Sequence, residues 1–304
     1  MRVPREPLTW SSIPESLPEA EMSEVEMGLA RIMTDVYYMT AFQIAELMNW
    51  KEENTRYHVS AMQSAGYLQG VYVTWRGKRW RVYAPSRHVA SVLRAADPDW
   101  AVMHGSWQSP ADLGVKGYAI LHSLDRNLFC QEALANAYHW QWPARWDYQV
   151  RPLRAPVSGR RVIPDAVLRV QKHVWYVEME RSWRLSTITS KLARYTELYQ
   201  HQTWGLYDPV LPRVLIVADT TSTQRRAMDA WLDHLDVLAA NWVVLLPWEE
   251  LSATWQCWVW SPTGERVQMG WRDLHWKAVQ PTPATRRVLV PRRRTTPPDT
   301  PWLE

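Results

Sequence analysis

The chain has 304 residues, 46% of them apolar, which is enough for one large core or two ordinary ones, and its formal net charge of +4 is only mildly basic. No apolar run approaches the roughly 20 residues that cross a bilayer, and the opening MRVPREPLTW lacks the apolar stretch of a signal peptide, so a cytoplasmic protein without membrane partners is expected. Its two cysteines, Cys130 and Cys257, lie far apart with no metal-ligand spacing to the histidines, which excludes a disulfide framework or a zinc finger.

Basic residues cluster, and clustering matters more for nucleic-acid binding than the total. Arg76, Lys78, Arg79 and Arg81 form one group; Arg286, Arg287, Arg292, Arg293 and Arg294 form another. Tryptophan is abundant (21) and phenylalanine rare (2), a bias that suggests no function.

Residues 1–22, rich in Pro and Glu, read as a flexible arm. SEVEMGLARIMTDVYYMT then opens on Ser23 with Glu26 three residues on, a capping box, and carries Met27, Ala30, Ile32 and Met33 at helical spacing. TAFQIAELMNW gives a second helix with Thr40 as N-cap and Ile44, Leu47 and Met48 on its apolar face. ENTRYHVSAMQSAGYLQ gives a third, with Val59, Met62 and Leu68 inward and Gly66 near its end. GVYVTW, RGK and RWRVYAP then read as a hairpin.

Three helices and a hairpin resemble a winged helix-turn-helix domain, assigned to residues 23–98. In that fold the third helix enters the major groove and the wing touches backbone or minor groove. Arg56, Tyr57, His58, Ser60 and Gln63 lie on or near the exposed face of the third helix, and Arg76, Lys78 and Arg79 at the wing tip, where they suit phosphate contacts. Protein docking is the alternative use of such a module.

RHVASVLRAADPDWAVMHGSWQSPADLGVKGY reads as a connector broken by Pro98, Gly105, Pro110 and Gly114. Beyond it, residues 99–275 form the second domain. GYAILHSLDRNLFCQEALANAYHW is one long helix, followed by the strands DYQVRPL, RVIPDAVLRV and HVWYVEME and the helix STITSKLARYTELYQH. The strand RVLIVAD, the helix TSTQRRAMDAWLDHLDVLAA and the strand NWVVLLPW complete it. This order implies an α/β (α+β) fold, with a mixed sheet flanked by helices. Residues 276–304 read as a basic Pro- and Arg-rich tail without structure of its own.

HVWYVEME places Glu178 and Glu180 on the same side of a strand that should be buried. A two-residue turn at Gln171 and Lys172 sets Val170 opposite His173 and Asp165 opposite Glu178, with β-carbons about 5 Å apart. A four-residue turn gives the same pairing; an odd one shifts it by one, and Gln-Lys is not a favoured turn dipeptide. Converging carboxylates need a cation, and Mg²⁺ or Mn²⁺ suits oxygen ligands. Lys191, early in the next helix, can point back at the strand end, with Tyr195 on the same face.

The order Pro164-Asp165, Glu178-x-Glu180 and Lys191 resembles the PD-(D/E)XK restriction-endonuclease-like fold, with KLARY similar to its Q-x-x-x-Y helix element and Lys in place of Gln. More closely, the chain resembles the replication-relaxation family of bacterial plasmids and integrative elements, in its winged helix and in HSLDRN, IPDAVLRV, YVEMER and KLARYTELY, over roughly residues 25–260. The resemblance implies a metal-dependent DNA endonuclease or nickase of a mobile element, nucleoid- or plasmid-associated. Asp165 and Glu178 would be metal ligands, with Glu132 as the helical carboxylate that positions a second ion or its waters. Lys191 would stabilise charge on the phosphate, Glu180 would be general base or further ligand, and Arg194 a phosphate contact. The usual lysine two residues after the strand carboxylate is Glu180 here, a departure that also fits an inactive fold kept to bind DNA as a replication or transcription regulator. A third alternative is a docking subunit for other replication or transposition proteins. His122 reads as a packing residue with a DNA contact as the alternative, and Asp219 and the DHLD at 233–236 have plain structural readings as helix cap and solvated face.

Overall fold

The computed structural model describes residues 8–13, 15, 21–110, 112–113, 117–147, 153–171, 173–181, 185–206, 212–218, 243–247, 256–260 and 266–270. The expected helix at 221–240 and the basic tail lie outside them. Among the described residues no helix is long and apolar enough to cross a membrane.

Helix α1 (Glu24–Val36) starts in the expected capping box: Ser23 Oγ accepts from the Glu26 N–H at 3.3 Å, and Glu26 Oε2 accepts from the Ser23 N–H at 3.0 Å. A short strand β1 (Met39–Thr40) leads into α2 (Ala41–Met48), where Thr40 and Gln43 form a second capping box. Helix α3 (Glu52–Ser64) ends sooner than its sequence pattern suggests. Gly66 takes φ 80° and turns the chain, so Leu68 opens a strand instead of closing the helical face.

Strands β2 (Leu68–Trp75) and β3 (Lys78–Pro85) make the expected hairpin, with β1 on the far side of β3. Its turn is shorter than the three residues RGK. Lys78 pairs with Trp75, and Arg76 and Gly77, at φ 51° and 75°, make a two-residue turn whose left-handed backbone matches the strand twist. Part of the N-terminal arm is held on β2: the Ser11 N–H donates to Gly70 O at 2.9 Å, and Ser11 Oγ accepts from the Gly70 N–H at 2.9 Å.

The connector is the clearest departure from the sequence reading. It holds α4 (Arg87–Ala96), started by Ser86, and the short α5 (Pro98–Met103), capped by Asp97. Val89, Ala90 and Leu93 of α4, with Trp100, are buried in one core with Leu29, Met33 and Ile44. The helical spacing of HVASVL was present; the glycines and prolines that suggested breaks fall at 98 and beyond.

Helix α6 (Gly117–His139) joins two cores. Ile120, Leu121 and Leu124 pack with Val71, Val73 and Val82 of the hairpin. Phe129, Cys130, Ala133 and Ala137 pack on the large sheet. That sheet contains β4 (Ala144–Asp147), β7 (Ala166–Val170), β8 (His173–Glu180), β9 (Arg213–Ala218), β10 (Val243–Pro247), β11 (Gln256–Trp260) and β12 (Arg266–Gly270). Its order is β12-β11-β10-β9-β8-β7-β4, parallel at β8/β9 and β9/β10 and antiparallel elsewhere. The segment RVIPDAVLRV is divided: β6 (Arg161–Val162) pairs with β5 (Leu153–Arg154) in a separate ribbon, and Pro164-Asp165 separates it from β7. The first strand of the expected trio lies at 144–147, earlier than DYQVRPL, and residues 148–152 are outside the described set. Helix α7 (Leu185–Gln200) follows β8. The whole is α/β in the α+β sense, with mixed sheets and helices.

Phe129 is fully buried between α6 and the sheet. Phe129→Ala should lower unfolding free energy by about 3–5 kcal/mol, read as a fall in the urea midpoint with unchanged m-value.

Candidate functional site

Strand β8 alternates, and the alternation sorts its side chains. Trp175, Val177 and Met179 join the core under α6, while Tyr176, Glu178 and Glu180 face α7. Glu178 and Glu180 are 4% and 3% exposed, an environment that ionised groups tolerate only with charged partners.

Helix α7 supplies those partners one turn apart. Lys191 Nζ lies 2.8 Å from Glu178 Oε2 and 3.5 Å from Glu180 Oε2. Tyr195, at i+4, donates its hydroxyl to Glu178 Oε1 at 2.6 Å. Only a cavity of about 10 Å³ remains beside Glu178, Glu180, Lys191, Tyr195, Val214 and Ile216, room for one water-sized occupant.

The register inferred for the β7–β8 turn is the observed one, with Val170 opposite His173 and Ala166 opposite Val177. Gln171 adopts φ 53°, the left-handed conformation that a tight hairpin turn demands even from a residue that does not favour it. The ladder stops one residue short of Asp165. At the bend after Pro164, the Asp165 N–H donates to Val177 O at 2.9 Å, and Oδ2 accepts from the Met179 N–H at 2.8 Å. His122 Nε2 of α6 sits 2.9 Å from the other oxygen, Oδ1.

Burial opposes charge on Asp165, but the His122 ring, the Lys191 ammonium and the Met179 N–H outweigh it and hold its carboxyl down to about 2. Burial pushes Glu178 up to about 7 against the pull of Lys191, and the Asp165 charge adds to the push. Burial also disfavours the Lys191 ammonium, yet Glu178, Asp165 and Glu180 hold it well above the ordinary lysine range. Tyr195 is pushed up by burial and by the Glu178 charge, so its phenol stays a donor.

Asp165, Glu178, Glu180 and Lys191 thus share one place, and Glu132 is not brought there. Its pKa is raised by partial burial and by Glu46 of α2, which marks its surroundings as the α2 side of α6. Among the described residues, no three His, Cys, Asp or Glu side chains form a ready ion cage. Arg194 lies on the flank of α7, donating to Ser190 Oγ at 3.2 Å and to Arg161 O at 3.3 Å, beside a groove of about 680 Å³ lined also by Arg160, Ser158 and Ser186.

On α3, Arg56, Tyr57 and Ser60 are exposed, Arg56 pairing with Glu52 at 2.5 Å. His58 turns inward to Glu26 at 3.3 Å and to the Trp50 ring, and Gln63 donates to Ser11 Oγ at 3.2 Å. Arg76, Lys78 and Arg79 are exposed at the hairpin tip, with the Arg79 guanidinium 4.5 Å from the centre of the Tyr72 ring.

Sequence reasoning missed the roles of His122 and Asp125. A histidine in a helix signals little by itself, but both belong to the segment HSLDRN, and helical spacing puts them one turn apart on α6.

A family model described as replication-relaxation matches residues 31–214, more than half of the chain. No curated protein and no solved structure matches.

The shifts at the site fix its pH dependence. From the ordinary carboxyl value of 4.5 up to about 7, the folded chain keeps a proton at Glu178 that the unfolded chain releases, so this group's stabilisation is lost as pH rises through that window. Asp165 acts oppositely: its contribution is present above 3.8 and is lost as pH falls toward about 2. In chelator, Glu178→Gln should flatten the stability profile between the two Glu178 values, removing a fall on the order of 3 kcal/mol, as read from urea midpoints across a pH series.

Proposed function

The chain belongs to the replication-relaxation family, and from that premise we propose that it is a DNA-binding endonuclease or nickase serving a plasmid or other mobile element. Membership points to a part in replication or relaxation of such an element. The cutting activity rests on one observation, the meeting of Asp165, Glu178, Glu180 and Lys191 at the end of β8, one residue type for each task in phosphodiester hydrolysis.

Three buried or half-buried carboxylates face one lysine there, so the donor set carries surplus negative charge. Oxygen donors with excess negative charge fit a hard divalent cation such as Mg²⁺ or Mn²⁺. Asp165 and Glu178 would hold it, with water completing the coordination and Glu180 kept for the proton, and Glu132 is too differently placed to be counted with them. A bound ion of this kind lowers the pKa of water and polarises a phosphate. The chain supplies the rest. Lys191 stabilises negative charge growing on the phosphate oxygens, Glu180 accepts a proton from the attacking water, and His122 and the Met179 N–H orient Asp165.

DNA selection falls to the N-terminal unit, read as a winged helix: α3 presents Arg56, Tyr57 and Ser60, and the hairpin tip presents Arg76, Lys78 and Arg79 to phosphates. A second reading has one observation in its favour. Lys191 pairs with both glutamates, and a proton kept at Glu178 below about pH 7 balances the second charge without a metal, as it would in a nuclease-like core kept by a DNA-binding regulator.

Supercoiled DNA incubated with the full-length chain decides between them. Nicking in Mg²⁺ or Mn²⁺, abolished by chelator and reduced about a hundredfold or more by Asp165→Ala or Lys191→Met, is the expected result. Intact DNA under every condition, with binding retained, would leave the regulator. Reversing the charges of Arg76, Lys78 and Arg79 should weaken DNA binding about tenfold or more and flatten its salt dependence, as measured by anisotropy titrations at several salt concentrations.

A further inference from the structure

One buried carboxylate ties the hairpin to the end of β8. The Asp125 side chain is 5% exposed, and Oδ1 accepts from the Trp75 indole N–H at 2.8 Å. Arg76 Nε approaches the same oxygen at 3.5 Å, and Arg181 Nη1 donates to Oδ2. Trp75 and Arg76 are the last residue of β2 and the first of the hairpin turn; Arg181 is the residue after Glu180.

The geometry bears on the carboxylate cluster twice. His122, one turn before Asp125 on α6, holds Asp165, so a single turn of this helix grips the chain at both Asp165 and Arg181. Glu180 lies 3.5 Å from Lys191, a separation that a small rotation at Arg181 would change. The turn of α6 is fixed from the other side too: Gln43 Nε2 donates to Leu124 O at 2.9 Å, Arg126 to Val36 O at 2.9 Å, and Asn127 to Tyr38 O at 2.7 Å.

We propose that Asp125 and Arg181 form a joint through which the β2–β3 hairpin sets the position of Glu180, so that DNA phosphate engaged at the hairpin tip tightens the end of β8. The inference rests on the DNA-binding reading given above. Arg76 is the residue shared between partners. Its side chain is 41% exposed and lies over the Trp75 ring at 5.7 Å, within reach of a phosphate at the tip. A phosphate that draws the guanidinium outward leaves the Asp125 charge to Arg181, because a buried carboxylate holds its remaining cation more strongly when the other withdraws. Asp125 and Arg181 are positioning residues: neither is placed to touch the reacting atoms.

Amide hydrogen exchange of residues 176–181 in the full chain, with residues 213–217 of β9 as internal control, tests the joint with and without a duplex whose binding is measured in the same samples. Exchange at 176–181 should slow about threefold or more with DNA in the wild type, beyond any change in the control segment. Asp125→Asn should abolish that selective slowing while changing the DNA Kd less than about threefold, and Arg181→Lys should keep more of it than Arg181→Met. Equal slowing in wild type and Asp125→Asn, or none in the wild type despite binding, overturns the joint. Failure to bind DNA at all overturns the DNA-binding reading instead, and the free protein then decides the joint. Trp75→Phe removes the N–H donor together with part of the ring's volume; beyond any change in the 213–217 control segment it should speed exchange at 176–181 about threefold or more, and an unchanged rate overturns the joint.

Discussion

A strand in the middle of a sheet carries two buried glutamates on one face, and the site exists because Lys191 answers both. Removing a carboxylate from water costs several kcal/mol unless a close counter-charge and hydrogen bonds replace the solvent. Here the replacement comes from one helix, through an i, i+4 pair: Lys191 for charge, Tyr195 for a hydrogen bond. The compensation is partial, which is why Glu178 is pushed up to about 7 while Asp165, with its own donors from His122 and Met179, is held near 2. Two carboxyls in one cluster therefore differ in proton affinity, and the difference follows from the number and charge of their donors, not from residue type.

Helix α6 performs the corresponding task for the chain as a whole. Its first half buries Ile120, Leu121 and Leu124 on the hairpin, and its second half buries Phe129, Cys130 and Ala133 on the large sheet. The polar residues between those halves all have partners across the junction. Asn127 and Arg126 satisfy carbonyls at Tyr38 and Val36, where α1 has ended and β1 begins, and Gln131 donates to Gln43 O at 2.8 Å. Such bonds are directional, so they set the angle of the helix where apolar packing would leave it free to slide.

Much of this was legible in the sequence. The capping box at Ser23, the N-cap at Thr40, the β2–β3 alternation and the long helical segment of α6 are local signals, and each produced the element expected of it. Turn parity was enough to set the β7–β8 register because side chains in a strand repeat every two residues. What escaped were features fixed from a distance. Strand β1 is two residues long and is a strand only because β3 lies beside it, and β11 and β12 give no strong signal by themselves. Helix α4 was hidden by the glycines and prolines downstream of it, although its own residues have helical spacing. Within the site, local order brought Glu178, Glu180 and Lys191 together correctly. His122 and Asp125 are separated from their partners by more than 40 residues, and only the tertiary fold reveals what they hold.

The four short segments HSLDRN, IPDAVLRV, YVEMER and KLARYTELY are each weak as motifs, and the fold gives the physical reason that their order carries meaning. HSLDRN supplies His122 and Asp125; IPDAVLRV supplies Asp165; YVEMER supplies Glu178, Glu180 and Arg181; KLARYTELY supplies Lys191 and Tyr195. These side chains meet at one end of β7 and β8, so a change in any segment alters the charge or hydrogen-bond count seen by the others. The same logic accounts for part of the tryptophan bias. Trp75 donates its indole N–H to Asp125, and Trp100 and Trp107 donate theirs to Thr34 Oγ1 and Thr34 O at 3.2 and 3.0 Å. Phenylalanine is smaller and has no N–H, so each of these buried acceptors would lose one donor, at a cost of about 1–3 kcal/mol where no other donor replaces it.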